Sequence, residues 1–379
     1  MSKLGSDDQD VEARDIEASS VSTEDLLTTA RDAHTIVYEV SGEFRAAESD
    51  GVVATGSDLV TVLEAAISNL TSARSSTETV AVFAGGDWTQ QLTVTDSHTR
   101  LVFTQQVSGD LDNNALRVQD AENVTISEFD FDGGSQTAGS VILGRGACDG
   151  LEVQNPRIIG SATNGISIAE DGGNRPDNIE IRNPRIENVG NHAIDLSNVT
   201  NTSVSNIRAF NNERTAINIG GGSEHIGVDR IVSEGNEAAL RISNGSTDVT
   251  ADNINSDEDE RGIHLPNAVD FQISNVSVER ATVEQGILVS SGCEDGQIIG
   301  GNVHETQSSV AQIRLNDCTG VGVIGIRVRD TTDSASHGIQ ETGDNVDFNR
   351  IVGCDLRGGG TTANLETVGA NTVTSANIT

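Results

Sequence analysis

A chain of 379 residues with a net charge of −35 is unsuited to nucleic acid, since phosphate binding needs clustered Lys and Arg. Only 3% of its residues are aromatic, which is little for the core of a globular enzyme of this size. No stretch approaches the ~18 consecutive apolar residues of a membrane span. We therefore expect neither a nucleic-acid partner nor membrane insertion.

The first 56 residues differ from the rest and predict a small docking or oligomerisation module. Residues 1–17 form an acidic tail without the apolar core of a signal peptide. The segment Ser22–Ala33 begins with a capping-box pattern and predicts a short helix. Thr35–Phe44 then predicts a strand.

Residues 57–78 predict a capping helix. Ser57 is the expected N-cap, and the helix is expected to continue to about Ala73. The apolar residues fall on one face of this helix at Val60, Leu63, Ile67 and Leu70.

From residue 79 onward, one short apolar strand recurs every 23 to 28 residues. A recurring period of this length indicates a solenoid. The copies are Leu116–Val118, Val141–Leu143, Ile166–Ile168, Ile194–Leu196, Ile217–Ile219, Leu240–Ile242, Ile263–Leu265, Ile287–Val289 and Ile313–Leu315, with weaker ones at Ile339 and Leu365.

Two further strands follow in each repeat, so every coil is expected to hold three short strands that alternate inward apolar and outward polar residues. Asn recurs where the second strand meets the third. Stacked Asn side chains can hydrogen-bond along the axis of a solenoid and tolerate the left-handed backbone of a tight turn. These residues are Asn155, Asn183, Asn206, Asn253 and Asn275.

The amphipathic helix, the run Thr79–Trp88 and the strands Leu92–Val94 and Leu101–Phe103 resemble the start of pectate-lyase-like β-helices. Viral tailspikes and many polysaccharide-degrading enzymes share this start. The resemblance covers about 300 of the 379 residues. It implies an all-β, right-handed parallel β-helix of about 11–13 coils over residues 79–379, with a small α+β N-terminal module and a capping helix.

Enzymes of this superfamily carry motifs that the chain lacks. Polygalacturonase-like members have Asn-Thr-Asp, Asp-Asp, Gly-His-Gly and Arg-x-Lys motifs, and the nearest fragment here is Ser336–Gly338, whose His337 is expected in a turn. Pectate-lyase members need a Ca²⁺ cluster and a Lys or Arg base, but the only lysine is Lys3. We therefore predict no catalytic residues, no metal and no cofactor.

Charged residues on neighbouring coils provide the candidate binding site. Glu152 and Glu180 lie on adjacent coils beside a parallel line formed by Arg157, Arg185 and Arg208. A surface salt ladder is favoured, with a sugar- or anion-binding stripe as the sharper alternative.

The first strands of the coils contribute one more candidate to this stripe. Their outward positions are expected to be Arg117, Ile142, Ser167, Asp195, Asn218, Arg241, His264, Leu288, Arg314, Gln340 and Glu366. Asp195 joins the candidate stripe. It has no acidic neighbour in this line, so no glycosidase pair is evident.

The four cysteines show no metal-binding spacing. Cys293 and Cys318 fall at similar places in adjacent coils and could touch, whereas Cys148 lies several coils from any other. Buried thiols are the favoured interpretation for all four, including Cys354.

These features favour a virion surface protein, such as a tail fibre, tailspike or capsid turret, that contacts host glycans or glycoproteins. The acid-rich, lysine-poor composition is typical of proteins that work in high salt, so we expect a halophilic host. A homo-trimer or pentamer docked through residues 1–56 is expected. One alternative is a polysaccharide lyase or glycoside hydrolase. It is disfavoured because sugar-binding grooves usually stack rings on Trp or Tyr, and this chain has only one of each, Trp88 and Tyr38. Another alternative is a non-viral surface or matrix protein.

Overall fold

The computed structural model describes residues 33–134 and 136–379. The acidic tail, residues 1–17, and nearly all of the predicted Ser22–Ala33 helix lie outside the described residues. Within the described ranges, no helix has the length and apolar character to cross a membrane.

Three antiparallel strands open the described chain: β1 (Thr35–Val40), β2 (Glu43–Glu48) and β3 (Gly51–Gly56). The prediction of one strand over Thr35–Phe44 is wrong. The chain reverses at Ser41 and Gly42, whose φ angles of 55° and 82° are those of a tight hairpin turn.

Strand β1 also pairs in parallel with the first strand of the solenoid, Thr35 opposite Val80 and Val37 opposite Val82. The hairpin therefore extends the solenoid sheet of its own chain. Tyr38 on this strand is buried in a small cluster with Ala47, Ala81 and Phe83.

Helix α1 spans Leu59–Asn69 and lies over the start of the solenoid. Its N-cap is Asp58 rather than the predicted Ser57, because the Asp58 carboxylate accepts a hydrogen bond of 2.7 Å from the Thr61 amide. The helix ends before the predicted Ala73. The expected apolar face is confirmed, since Val60, Leu63, Ile67 and Leu70 are buried. They shield the first coil's inward residues from water.

The solenoid is a right-handed parallel β-helix, as predicted. Its strands in chain order are β4 (Glu78–Val82), β5 (Gly86–Asp87), β6 (Leu92–Val94), β7 (Thr99–Phe103), β8 (Val107–Ser108), β9 (Leu116–Gln119), β10 (Thr125–Ser127), β11 (Asp130–Asp132), β12 (Ile142–Arg145), β13 (Glu152–Gln154), β14 (Arg157–Ser161), β15 (Ile166–Ala169), β16 (Glu180–Arg182), β17 (Arg185–Val189), β18 (Ile194–Ser197), β19 (Thr200–Phe210), β20 (Thr215–Gly220), β21 (Glu224–Glu234), β22 (Ala238–Ile242), β23 (Thr247–Asp257), β24 (Arg261–Pro266), β25 (Val269–Glu279), β26 (Ile287–Ser290), β27 (Gln297–His304), β28 (Ala311–Asn316), β29 (Gly322–Arg329), β30 (His337–Thr342), β31 (Arg350–Val352), β32 (Ala363–Glu366) and β33 (Val373–Ser375).

The first strand of each repeat, which is the recurring apolar strand, joins a twelve-stranded parallel sheet that runs from β6 to β32. The remaining solenoid strands, together with β1 to β3, form a second sheet. In the middle coils the second and third strands merge into single eleven-residue strands, as in β19 and β21. The described chain thus holds twelve coils, within the predicted 11–13.

The core is a set of stacks in which each apolar residue lies on its counterpart one coil away. Ile142, Ile166, Ile194 and Ile217 follow one another in register and are fully buried. Alike side chains stack efficiently at a parallel-strand spacing of about 4.8 Å. Larger side chains concentrate in the first coils, where Trp88 packs its ring edge-on against Phe129 with the ring centroids 5.5 Å apart.

The predicted Asn corners are confirmed in backbone conformation, since all five have φ between 52° and 59°. Their side chains form a ladder over three coils. Asn183 donates to Asn155 over 2.6 Å, and Asn206 donates to Asn183 over 2.9 Å. Arg230 ends this ladder by donating to Asn206.

Farther along, the corner side chains bond to carboxylates instead of to each other. Asn253 donates to Asp229 over 3.0 Å, and Asn275 donates to Asp252 over 2.8 Å. Each of these bonds still links one coil to the coil before it.

Candidate functional site

Five of the six predicted stripe residues lie on the second sheet in the expected register. Glu152 is directly opposite Glu180 on the next coil. Arg157 lies opposite Arg185, and Arg185 opposite Arg208. The parallel lines of acidic and basic residues are therefore real.

The ion pairs of this stripe differ from the predicted ladder. Arg157 pairs with Asp130 at 3.0 Å, and Arg185 pairs with Glu187 at 2.5 Å. Glu180 pairs with Arg182, two residues along its own strand. Most of these charges are thus neutralised by partners outside the two lines, and exposed pairs of this kind contribute under about 1 kcal/mol each.

Asp195 does not join the other five residues. It lies on β18 in the twelve-stranded sheet, in a line of outward-pointing residues that we call the outward row. One residue of each strand belongs to it: Thr93, Arg117, Leu143, Ser167, Asp195, Asn218, Arg241, His264, Leu288, Arg314, Gln340 and Glu366.

The prediction of Ile142 in this row is wrong. Leu143 pairs with both Arg117 and Ser167 and faces outward, whereas Ile142 is fully buried in the core. The three consecutive apolar residues Val141–Leu143 hide the alternation by which inward and outward positions are normally told apart.

A hydrogen-bonded chain crosses three coils at the centre of the outward row. Asn218 donates its side-chain N–H to Asp195 Oδ1 over 2.7 Å. Arg241 in turn donates to Asn218 Oδ1 over 3.4 Å. Burial raises the pKa of Asp195 above its ordinary value, although the Asn218 bond and the charges of Arg145 and Arg241 lower it in part.

His264 follows Arg241 on the next coil of the outward row. Desolvation by burial, followed by the charges of Arg261 and Arg241, lowers its pKa to about 4. Its imidazole is therefore neutral at pH 7, and its buried Nδ1 has no hydrogen-bond partner among the described residues. A carboxyl with a raised pKa and a neutral imidazole thus flank one guanidinium group.

Four arginines on the outward side of this sheet lack an acidic partner. Arg117 donates to Gln119, Arg145 to the Glu170 carbonyl, Arg241 to Asn218 and Arg314 to Thr342. None of the four has a carboxylate within 4.0 Å in the part of the chain that the structure describes. In a chain with a charge of −35, positive charges without counterions are available to an anionic ligand.

Sequence reasoning missed this set as a site. Arg117, Arg241 and Arg314 share one phase of the repeat, which was visible in the sequence. Their freedom from ion pairs was not visible, because it depends on which side chains the neighbouring coils place beside them. Arg145 lies in the adjacent line, two residues after Leu143.

Among the described residues, the outward row carries no aromatic ring that could stack on a sugar. Trp88 and Tyr38 are both buried. Over residues 33–134 and 136–379, no group of three His, Cys, Asp or Glu side chains is placed to hold a metal ion. The polar groups that the outward side of this sheet offers are therefore charges and hydrogen-bond donors and acceptors.

His337 is not a turn residue as predicted but the first residue of β30. Its Nδ1 lies 2.9 Å from Ser336 Oγ, and its Nε2 lies 3.1 Å from a Glu366 carboxylate oxygen. These contacts join two neighbouring coils at the C-terminal end of the twelve-stranded sheet.

The prediction of buried thiols is confirmed, since Cys148, Cys293, Cys318 and Cys354 are all buried and free. Burial raises the pKa of Cys148 and of Cys318 to about 12. Their thiols therefore stay protonated at pH 7 and are unreactive.

Comparison with known proteins gives relatives in structure alone. No family model matches the chain, and no curated protein matches its sequence. The A-module of the mannuronan C-5 epimerase AlgE6 of Azotobacter vinelandii matches with a TM-score of 0.71 and 15% identity, over 85% of this chain and 95% of that chain.

Two further solved structures show the same architecture. The A-module of AlgE4, another mannuronan C-5 epimerase of Azotobacter vinelandii, gives a TM-score of 0.70 at 15% identity, over 84% of this chain and 96% of that chain. The periplasmic alginate epimerase AlgG gives 0.52 at 10% identity, over 79% and 76%. At such identities the likeness establishes the parallel β-helix fold, which is what the repeat predicted.

Proposed function

We propose that this β-helix binds an acidic polysaccharide along the outward row of its twelve-stranded sheet. The observation that carries the proposal is the set of four arginines without carboxylate partners, Arg117, Arg145, Arg241 and Arg314. A guanidinium group presents a planar fork of donors that matches a carboxylate or a sulfate. The lack of exposed rings on this face also favours a charged glycan over a neutral one.

The spacing of these arginines suits an extended polymer. Arg241 and Arg314 are three coils apart, or about 14 Å along the axis, and Arg117 lies about 24 Å from Arg241 in the other direction. One chain lying parallel to the axis can meet all three. Two of the solved structures that the chain resembles are modules of mannuronan C-5 epimerases, and mannuronan is itself an acidic polysaccharide.

The experiment is a comparison of an acidic and a neutral polysaccharide of similar length. We expect alginate to bind to immobilised protein and dextran not to bind, with an affinity that falls as salt rises because the contacts are ionic. Equal binding of dextran, or alginate binding that is insensitive to salt, would contradict the proposal.

A more specific form of the proposal is a virion surface protein of a halophilic host. The acid-rich, lysine-poor composition supports it, because high salt screens the self-repulsion of such a surface. In this form the chain is a tail fibre, tailspike or turret, assembled as a trimer or pentamer through residues 1–56. Copurification with virions from a halophilic host tests the location, and melting temperature against KCl concentration tests the salt requirement. A protein absent from virions, or one most stable without salt, would count against it.

The second candidate is an enzyme acting on a uronate-containing polysaccharide, and the Asp195, Arg241 and His264 group favours it. A neutral imidazole beside a guanidinium group that can bind a carboxylate is suited to the role of general base. Arg241 would hold the sugar carboxylate, and neutral His264 would accept a proton from the neighbouring ring carbon. Unsaturated products seen by ultraviolet absorbance, or epimerised residues seen by NMR, would establish it. Absence of both from low to high salt would exclude it.

A further inference from the structure

A concave site lies on the second sheet, apart from the outward row. It is a groove of about 280 Å³ lined by Glu279, Asn302, Val303, His304, Arg327 and Arg329. These residues come from three successive strands, β25, β27 and β29, and form two short lines. Asn302 lies opposite Arg327, and His304 lies opposite both Glu279 and Arg329.

Two residues before Asn302 and Arg327, the corner of the coil loses its side chain. In the earlier coils this corner carries Asn206, Arg230, Asn253 and Asn275. In the last coils Gly300, Gly325 and Gly353 occupy it, all with φ between 66° and 69°. A Cβ atom at Gly325 or Gly353 would meet no other atom within 4 Å. The corner next to Asn302 and Arg327 is therefore not covered by side chains.

Arg327 is left without a close ion-pair partner beside the groove. Three guanidinium groups share the single carboxylate of Asp355: Arg329 at 2.6 Å, Arg357 at 3.0 Å and Arg327 only at 3.9 Å through its Nε. Arg329 and Arg357 satisfy the carboxylate. Glu279 on the opposite wall and Glu305, whose carboxylate lies 3.8 Å from His304 Nε2, balance the remaining charge around the groove.

Arg327 is the group available to a ligand. Its side chain is 62% exposed, and its terminal nitrogens donate no hydrogen bond within the described residues. Arg329, in contrast, is held by the Val328 and Asp355 carbonyls as well as by the Asp355 carboxylate. The Asn302 side chain lies one coil from Arg327 and can donate from the other side.

We propose that this groove binds a small oxyanion, the carboxylate or sulfate group of an acidic ligand, with Arg327 as its principal partner and Asn302 and His304 as further donors. The fork of Arg327 takes two oxygens of such a group, and the Asn302 amide can donate to one of these oxygens or, in a sulfate, to a third. The wall of Glu279 and the size of the groove leave room for hydroxyl groups attached to the anion. This site does not depend on the function proposed for the outward row.

Calorimetric titration of the full chain with sodium glucuronate, sodium sulfate and glucose at constant ionic strength tests the proposal. Binding of glucuronate or sulfate but not of glucose is expected, and the two anions distinguish an acidic sugar from a free inorganic anion. Arg327→Gln should weaken that binding about tenfold, the loss of roughly one charge-assisted bond.

A matched variant separates this site from general charge effects. Arg350→Gln removes an exposed arginine from the same sheet outside the groove and should leave glucuronate and sulfate binding unchanged. The proposal fails if neither anion binds, if glucose binds as well as glucuronate, or if Arg327→Gln has no more effect than Arg350→Gln.

Discussion

The Asn218 side chain donates to the Asp195 carboxylate over 2.7 Å and links two coils on the outward face of the twelve-stranded sheet. Arg241 donates to the same Asn218. The Asn218 amide therefore lies between the Asp195 carboxylate and the Arg241 guanidinium, which do not pair directly. Arg241 thus keeps terminal N–H groups for a ligand. Arg157 and Arg185 on the second sheet differ from Arg241, because each of them pairs directly with a nearby acid.

Replacing Asp259 should reveal a buried carboxyl that opposes folding at neutral pH. Asp259 is fully buried at the end of an internal ladder, where it accepts from the Asn236 amide over 2.7 Å and from Ser256 Oγ over 2.5 Å. Burial raises its pKa from 3.8 to about 6. The protonated form is therefore favoured by folding, and the stability that it contributes is complete below pH 4 and lost as the pH rises through 6.

Asp259→Asn should raise the free energy of unfolding at pH 7 by on the order of 1–3 kcal/mol and flatten its pH dependence between pH 4 and 6. Urea denaturation at a series of pH values measures both effects. Asp270→Asn, an exposed corner residue with φ of 49°, is the control and should change neither. A destabilised Asp259→Asn protein at pH 7 would show that the charged form is needed.

Asn183 tests the corner ladder because it bonds to coils on both sides. Asn183→Ala removes both bonds and places a side chain with no polar group at φ of 53°, so we expect a loss of about 2–3 kcal/mol. Asn183→Gly removes the same bonds without the backbone strain and should cost about 1 kcal/mol less. Equal stabilities of the two variants in thermal denaturation would mean that the left-handed backbone carries no cost.

Phe348 occupies a left-handed corner position for which its residue type is poorly suited. It has φ of 54° and its side chain is 61% exposed, although the equivalent corner of other coils carries residues such as Asn201 and Asp270. Phe348→Asn should therefore stabilise the fold by about 1 kcal/mol. The reverse change, Asn201→Phe, should destabilise it by a similar amount. A loss of stability in Phe348→Asn, seen as a lower melting temperature, would indicate that the ring makes a contact needed for folding.

The fold was predictable from sequence because its signal is repeated once in every coil. The wrong predictions concern features that one or two residues determine, such as a turn or a helix cap. The strand expected over Thr35–Phe44 breaks at Ser41–Gly42, a dipeptide that itself favours a turn. The helix cap moved from Ser57 to Asp58 because both residue types can cap and only the geometry selects one.

The candidate site was less predictable, for a physical reason. The register of Glu152, Glu180, Arg157, Arg185 and Arg208 follows from the repeat and is as expected. Which charges remain without partners depends on long side chains that bend toward acids on their own strand or on the next coil. The sequence places those acids only to within a residue, so it cannot separate a neutralised arginine from an available one.

The most direct test of the account is alginate affinity in Arg241→Gln compared with Arg208→Gln. Both residues are arginines on outward strand positions without a carboxylate within 4.0 Å among the described residues, but only Arg241 lies in the outward row. We predict that Arg241→Gln weakens alginate binding about tenfold and reduces its salt dependence, while Arg208→Gln leaves both unchanged. Equal affinities for the two variants, or a larger loss in Arg208→Gln, would contradict the assignment of this face.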